Sequence, residues 1–255
     1  MLTRRHILRG GALGAGSLLL AGCDPISRNP AARNFLQRAE DLTMAAQRAL
    51  IDRTALAREF SESDIIQPQR PNGSANIQDE AYHALFDSGF AGWRLPVTGL
   101  VERPLSLSLE ELRNMPSRTQ ITRHDCVEGW SCIAKWTGVP LSAVLDQAGA
   151  RPGATYVVFR CFDTMENSFE GPVKYYESID MIDARHPQTI LAYGLNGAPL
   201  PIENGAPLRV RVERQLGYKM AKYILAIEVV DSFGAIAGGQ GGYWEDRGYE
   251  WYAGI

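Results

Sequence analysis

At Ile65 the sequence changes character. From Pro30 to about Phe60, apolar residues recur at helical spacing among many charged ones. After Ile65, short β-prone runs alternate with brief helical ones, each closed by Gly, Pro, Asn or Asp. The segment Gln67-Pro68-Gln69-Arg70-Pro71-Asn72-Gly73 opens this second part and admits neither regular helix nor central strand. The body is therefore read as a mixed, strand-dominated α+β fold with short helices, preceded by an N-terminal helical segment.

Residues 93–99, 119–122, 155–162, 208–212 and 223–230 read as strands. Ser108-Leu109-Glu110-Glu111 is a capping-box pattern that opens a short helix running through Met115. Leu141–Ala148 reads as a second short helix. Ile190–Leu195, then Asn196-Gly197, then Leu200, reads as a hairpin. The tail from Gly238 is rich in Gly and aromatic residues and is expected to be irregular. Upstream, Asn29 is a helix cap with Pro30 in the first helical position. Phe35, Ala39, Leu42, Ala46, Ala49 and Leu50 form an apolar stripe that Leu56 and Phe60 extend. One amphipathic helix or two would lie on the body, bridge it to a membrane, or serve as a solvated spacer.

Thr3-Arg4-Arg5-His6-Ile7-Leu8 precedes an uncharged run from Gly10 to Gly22. A charged start, an apolar middle and a small-residue end describe an export signal. The paired arginines followed by Ile7 and Leu8 look like the twin-arginine kind. A buried N-terminal helix is the competing reading, but Gly10, Gly11, Gly14 and Gly16 would each weaken it by about 1 kcal/mol relative to Ala. The run is too short to cross a bilayer. It ends Leu20-Ala21-Gly22-Cys23, which resembles a bacterial lipobox with Cys23 as the acylated residue. Simple cleavage that leaves Cys23 free is the alternative. Acyl chains stabilise membrane binding by about 0.8 kcal/mol per buried CH₂ and would hold the chain at the periplasmic side of the cytoplasmic membrane. Asp24 resembles an inner-membrane retention signal. The expected organisation is a signal over residues 1–22, a helical spacer over 23–66 and a body over 67–255. The twin-arginine route moves folded proteins, often with a cofactor inside, and so raises the expectation of a redox cofactor. A chain with 26 basic against 29 acidic side chains does not look like a nucleic-acid binder.

Three cysteines remain: Cys126, Cys132 and Cys161. No C-x₂-C pair is present, so a structural zinc site would rest on His124 and Cys126 alone. A nucleophilic Cys126 with His124 as base needs a facing geometry that residues two apart on a strand need not have. A disulfide is compatible with export. The residues by themselves leave all three open.

Arg123-His124-Asp125-Cys126-Val127-Glu128-Gly129-Trp130-Ser131, followed by Trp136-Thr137-Gly138-Val139-Pro140-Leu141, resembles the molybdopterin-binding domain of the sulfite oxidase family. Two further blocks agree in order: Glu203-Asn204-Gly205-Ala206-Pro207-Leu208-Arg209-Val210, and Gly217-Tyr218-Lys219-Met220-Ala221-Lys222-Tyr223-Ile224. The pattern is most like the family's bacterial periplasmic sulfoxide reductases. Asn-Gly-Ala-Pro-Leu-Arg, where animal sulfite oxidases have His-Gly-x-Pro-x-Arg, places the chain on the bacterial side.

The resemblance implies the sulfite-oxidase-type fold and a molybdenum-molybdopterin cofactor (Mo-MPT) with Cys126 as the thiolate ligand. A soft thiolate suits a metal that cycles between oxidation states. It further implies that Asn204 and Arg209 contact the pterin or its phosphate, and that Met220, Ala221 and Lys222 approach the phosphate. Cys161 stands where the bacterial reductases have a cofactor-contacting threonine, and a thiol is a poor replacement for a hydroxyl donor. Asn72 is a candidate contact from the Pro-rich loop. His124 would orient Cys126, donate to the cofactor or simply fill the core. For a substrate oxyanion or sulfoxide the candidates are Arg70, Lys135 and the tail around Tyr243, Trp244 and Arg247.

The function so implied is two-electron oxygen-atom transfer with a small sulfite-like or sulfoxide-like substrate. The sequence shows no haem motif, so electrons would pass to or from a separate partner, by family analogy a membrane cytochrome b. A non-catalytic binding lipoprotein that keeps the fold is one competing reading. A thiol or zinc enzyme using Cys126 and His124 is another.

Overall fold

The computed structural model describes residues 29–169 and 171–255, so the expected export signal over residues 1–22 and Cys23 lie outside the described residues. Two units divide between Ile51 and Asp52. The described part of the first is helix α1 (Pro30–Leu50), which starts as its sequence predicts. Asn29 Oδ1 accepts a hydrogen bond from the Ala31 N–H at 2.9 Å, and Pro30 occupies the first turn. Phe35, Leu36, Leu42 and Leu50 are exposed along it. No helix among the described residues is long and apolar enough to cross a membrane.

Leu56 and Phe60 do not extend this helix. Asp52 accepts from both the N–H and the hydroxyl of Thr54, a local turn that competes with continued helix. The chain then runs extended and binds by its backbone to the body: Phe60 N–H donates to Ile121 O at 2.9 Å, and Ile66 N–H to Ile133 O at 3.0 Å. The apolar spacing at 56 and 60 was helical only by coincidence with this strap.

The second unit contains two five-stranded sheets. After helix α2 (Glu80–Asp87) come β1 (Arg94–Gly99), β2 (Leu105–Ser108) and helix α3 (Leu109–Asn114). These are followed by β3 (Arg118–Asp125), β4 (Ser131–Pro140) and helix α4 (Leu141–Ala148). Then come β5 (Tyr156–Ser168), β6 (Gly171–Asp180), helix α5 (Met181–Ala184), β7 (Ile190–Leu195), β8 (Ala198–Pro199), β9 (Arg209–Arg211) and β10 (Ile224–Val230). One sheet has the order β2-β1-β10-β5-β6. The other has the order β3-β4-β7-β8, with β9 also paired to β7. Every pairing is antiparallel except β1 with β10, where Val97 lies opposite Ile227.

Local chemistry explains most boundaries. Ser108 and Glu111 form the expected capping box, with bonds of 3.1 and 2.7 Å. Asn196 and Gly197 take φ values of 51° and 83°, the left-handed pair of a tight hairpin between β7 and β8. The strands β4 and β6 escape a pattern reading because half-buried Lys135 and buried Gly138 and Glu177 interrupt their apolar runs.

One apolar core serves both sheets. Leu95, Val97, Val157, Phe159 and Ile227 from the first meet Val139, Leu191 and Val210 from the second, with Leu112, Val144 and Leu145 from the helices. A smaller cluster around Trp136, Ala134, Ile190 and Ala192 covers the other face of the second sheet. Gly138 sits at a register shift in β4, where a Cβ would stand 2.2 Å from Leu191 O. A backbone oxygen cannot yield, so Gly138→Ala is expected to destabilise the cofactor-free protein by about 1–3 kcal/mol in urea denaturation. Gly153→Ala, where a Cβ meets nothing within 4 Å, is the control and should change stability by less than about 0.5 kcal/mol.

Candidate functional site

Cys126 lies in the loop that joins β3 to β4, just beyond the final Asp125–Ser131 pair. Its N–H donates to Trp130 O at 2.9 Å and its carbonyl accepts from Gly129 N–H at 3.0 Å. Gly129 makes that tight closure with φ +85°. Trp130 is fixed by Glu128, which accepts from its indole N–H at 3.0 Å, and by the Arg70 guanidinium 4.5 Å from its ring centre. Cys126 is half-buried. Burial first, and then the neighbouring Glu128 carboxylate, push its thiol above the ordinary value. A free thiolate is thereby disfavoured, and a metal that binds here would displace the proton.

Behind this loop the protein buries positive charge. Arg209 and Arg211 alternate along β9 and both pack over Trp136, at 4.9 and 4.4 Å from its centre. Arg211 is neutralised within the fold: Glu213 accepts from its Nε and its Nη2 at 2.9 and 2.7 Å. Lys219 is likewise held between Glu177 and Glu245, each at 2.5 Å. Arg209 and Lys222 are treated differently. Arg209 donates to the carbonyls of Asn204 and Met220 and to Asn72 Oδ1. Lys222 donates to the carbonyls of Ser74 and Glu203, at 2.6 and 3.0 Å. Among the described residues neither forms an ion pair with a carboxylate. Burial and then the adjacent Arg211 pull the Arg209 guanidinium down to about 9. Burial and then Arg209 pull the Lys222 ammonium down to about 7.

His124 belongs to the same cluster. Arg211 Nη1 donates to its Nδ1 at 2.9 Å, and arginine has no acceptor, so the neutral ring carries its proton on Nε2. Burial, and then Arg211, Arg209 and Lys222, hold the imidazole well below its ordinary value. Nε2 is buried without a partner beside Gly217, where a Cβ would lie 2.4 Å from it. With Nδ1 occupied by Arg211 and the ring neutral, His124 does not form a base for Cys126.

A cavity of about 150 Å³ joins these parts. Asn72, Cys126, Met220 and Lys222 line it, together with Gly73, Ser74 and Asp163. Val127, Met165, Tyr175, Tyr218, Trp244 and Tyr249 supply its apolar and aromatic lining. Asn204 and Arg209 lie outside that lining, and both are buried. Ala221 is buried core, and its carbonyl accepts from Val210 N–H. Cys161 also packs in the apolar core and is absent from the lining.

Asp163 is the charged residue of the cavity that sequence reasoning missed, along with Tyr175, Tyr218 and Tyr249. A break in the β5 register between Arg160 and Thr164 buries Cys161, Phe162 and Asp163 in succession, so simple alternation fails there. Asp163 Oδ2 accepts from Ser74 at 2.7 Å, while Oδ1 is buried without a partner. Burial raises this carboxyl against the Ser74 bond and the nearby Lys222.

The substrate candidates are mostly committed elsewhere. Arg70 covers Trp130, Lys135 pairs with Glu62 at 2.7 Å, and Arg247 pairs with Glu166 while lying over Tyr243. Cys126, Cys132 and Cys161 are all free thiols, so the disulfide reading is not realised among them. Among the described residues no three His, Cys, Asp or Glu side chains converge as a metal site would need.

This donor set fits an anionic cofactor bearing a soft-metal position. Two buried cations lack a carboxylate partner, a buried imidazole N–H lacks an acceptor, and Lys222 and Cys126 line one cavity.

Residues 83–233 match the family described as the oxidoreductase molybdopterin binding domain. The chain is 38% identical over 251 residues to a candidate protein-methionine-sulfoxide reductase subunit, YedZ1, of Azospira oryzae. That alignment takes in 98% of this chain and 87% of the other. It is 41% identical over 148 residues to the protein-methionine-sulfoxide reductase catalytic subunit MsrP of Xanthomonas campestris pv. campestris, covering 54% of this chain and 45% of that protein. With MsrP of Gluconobacter oxydans it shares 35% over 165 residues, covering 60% and 50%. The chain thus spans about half the length of these MsrP relatives. Among solved structures, the sulfane dehydrogenase SoxCD of Paracoccus pantotrophus aligns with a TM-score of 0.49 at 25% identity, over 55% of this chain and 38% of that one.

The lowered Lys222 gives a signed pH dependence. Below about pH 7 it is charged, and its burial penalty is present in full. Above that pH it loses the proton, and both the penalty and the attraction for an anion fade. Sulfate keeps its charge across this range. It is expected to raise the melting temperature of the cofactor-free protein more at pH 6 than at pH 8.5. Lys222→Met should remove that difference and raise the melting temperature at pH 6 without sulfate. Equal sulfate shifts at both pH values in the unmodified protein would refute the assignment.

Proposed function

The chain belongs to the oxidoreductase molybdopterin-binding family, that of the sulfite oxidases, and from that membership we propose that it is an exported, membrane-anchored reductase of sulfoxides. It is an oxidoreductase whose cofactor is molybdenum-molybdopterin. The finer reading adds Cys126 as the metal ligand, a neutral sulfoxide as substrate and a membrane cytochrome b as electron donor.

The cofactor, when bound, supplies a metal that exchanges an oxygen atom and two electrons with substrate. The chain's own residues bind and shape. Arg209 and Lys222 offer the charge for a phosphate, and Arg209 suits planar recognition. Asn72 bridges Arg209 and Gly217, accepting from the first and donating to the carbonyl of the second. Cys126 gives up its thiol proton on ligation. His124 Nε2–H is a donor fixed in direction by Arg211. The overall balance is a sulfoxide plus two electrons and two protons, giving a thioether and water.

One observation carries the choice of a neutral substrate. The cavity's lining holds one cation, Lys222, which the cofactor's phosphate would take; the rest is apolar or aromatic wall from Val127, Met165, Tyr175, Tyr218, Trp244 and Tyr249, with the carboxylates of Glu128 and Asp163. Arg70, Lys135 and Arg247, the cations that could have met a sulfite, are held by Trp130, Glu62 and Glu166. A dipolar S=O group with apolar substituents suits such a wall, and a dianion does not. The names of the YedZ1 and MsrP relatives support the same direction. The thiol-enzyme reading loses support because the Cys126 thiol is raised and His124 is turned to Arg211.

Protein purified from a host that makes molybdopterin is expected to contain about one molybdenum per chain and to reduce sulfoxides with a reduced viologen. Cys126→Ser should lose the metal and all turnover while remaining folded. Absence of molybdenum, in cells whose other molybdoenzymes are loaded, would leave the non-catalytic binding module as the better reading. Cys23→Ala should release the protein from the membrane fraction. Unchanged association would refute the lipid anchor.

A further inference from the structure

The tail beyond β10 has almost no regular structure, yet it is fastened to the body by an unusual density of bonds. Glu245 is buried and accepts from Lys219 Nζ at 2.5 Å, and that ammonium is shared with buried Glu177. Asp246 accepts from Tyr176 Oη at 2.6 Å and from the N–H groups of Gly238 and Gln240 at 3.0 Å each. Arg247 lies 3.6 Å from the centre of the Tyr243 ring and pairs with Glu166 on β5. Trp251 donates to Ser178 at 2.9 Å. A lysine and two carboxylates removed from water are a costly way to hold a loop unless its placement matters.

These bonds place aromatic rings in the cavity that Cys126 lines. Trp244 and Tyr249 both line it, and they stack on one another at 5.3 Å with planes 29° apart. Tyr218, also in the lining, meets Tyr249 edge-on at 5.3 Å and is itself held by its hydroxyl bond to Glu250 O at 2.7 Å. Met165 adds a polarisable sulfur to the same lining. Trp244 and Tyr249 fall outside residues 83–233, the stretch that matches the family. The cofactor side of the cavity comes from the matched blocks and from Asn72 and Ser74, whereas this stack comes from the chain's own tail.

We propose that the Trp244–Tyr249 stack is the specificity wall of the cavity, selecting sulfoxides that carry an aryl or bulky apolar substituent over small ones. The proposal rests on the sulfoxide reading above. Rings and a thioether attract such substituents by dispersion and by ring-edge contacts, which small dialkyl sulfoxides cannot fill.

The test compares methyl phenyl sulfoxide with dimethyl sulfoxide on the molybdenum-loaded protein, with metal content measured for each variant. Trp244→Ala is expected to lower the ratio of kcat/KM for the aryl over the dimethyl substrate about tenfold, through KM for the aryl substrate. Trp244→Phe, which keeps a ring, should retain most of the preference. Calorimetric binding of methyl phenyl sulfoxide gives a readout that needs no turnover. If both substrates turn over and the ratio does not move in Trp244→Ala, the wall is refuted and the sulfoxide reading stands. If neither turns over but the aryl sulfoxide binds and Trp244→Ala weakens it about tenfold, the wall stands and reduction is refuted. No binding and no turnover refutes both. Should Trp244→Ala fail to fold, Trp244→Leu carries the same comparison.

Discussion

Arg209 and Arg211 alternate along a three-residue strand and pack over one indole, Trp136, with almost no access to water. Only Arg211 finds a carboxylate there. Burying a cation without a partner is expensive, and the fold adds a second such group in Lys222 and a neutral imidazole whose outer N–H has no acceptor. Much of the site can be understood as the surroundings of that imbalance. Backbone carbonyls from Asn204, Met220, Ser74 and Glu203 receive the free N–H groups, and Asn72 closes the set from a Pro-rich loop. The proposed anionic pterin would complete the charge balance that the chain leaves open.

The two buried lysines show how the same residue type is put to opposite uses. Lys219 and Lys222 are three residues apart in one short block. Lys219 is satisfied by Glu177 and Glu245 and serves to join β6, the turn at 217–219 and the tail. Lys222 is given only carbonyls and is pulled down to about 7 by burial and Arg209. What separates the two lysines is thus whether a carboxylate is supplied.

Much of this was legible in the residues, and for identifiable reasons. The capping box at Ser108, the Asn196-Gly197 hairpin and the helix Leu141–Ala148 are local, so their sequences suffice. The loop at Cys126 and the blocks around Arg209 and Lys222 were marked by family pattern. Asp163 was not legible, because a register break in β5 cancels the alternation that links it to Cys161. Nor were Tyr175, Tyr218 and Tyr249, since an aromatic side chain carries no mark of which cavity it will line. The strap at 55–66 misled for a similar reason. Its apolar spacing matches a helix, but its backbone N–H groups go to carbonyls of β3 and β4.

The one parallel pairing among the described strands, Val97 opposite Ile227, has a consequence for how the molecule is made. Strand β1 stays an open edge until the ribosome has delivered β10, a wait on the order of ten seconds at typical synthesis rates. A parallel contact across so long a loop forms late and slowly. During that interval β1 is paired on one side only, by β2, and the edge that β10 will take is open. A newborn chain of this design therefore carries an unpaired strand edge, open to wrong partners, until its final sheet closes.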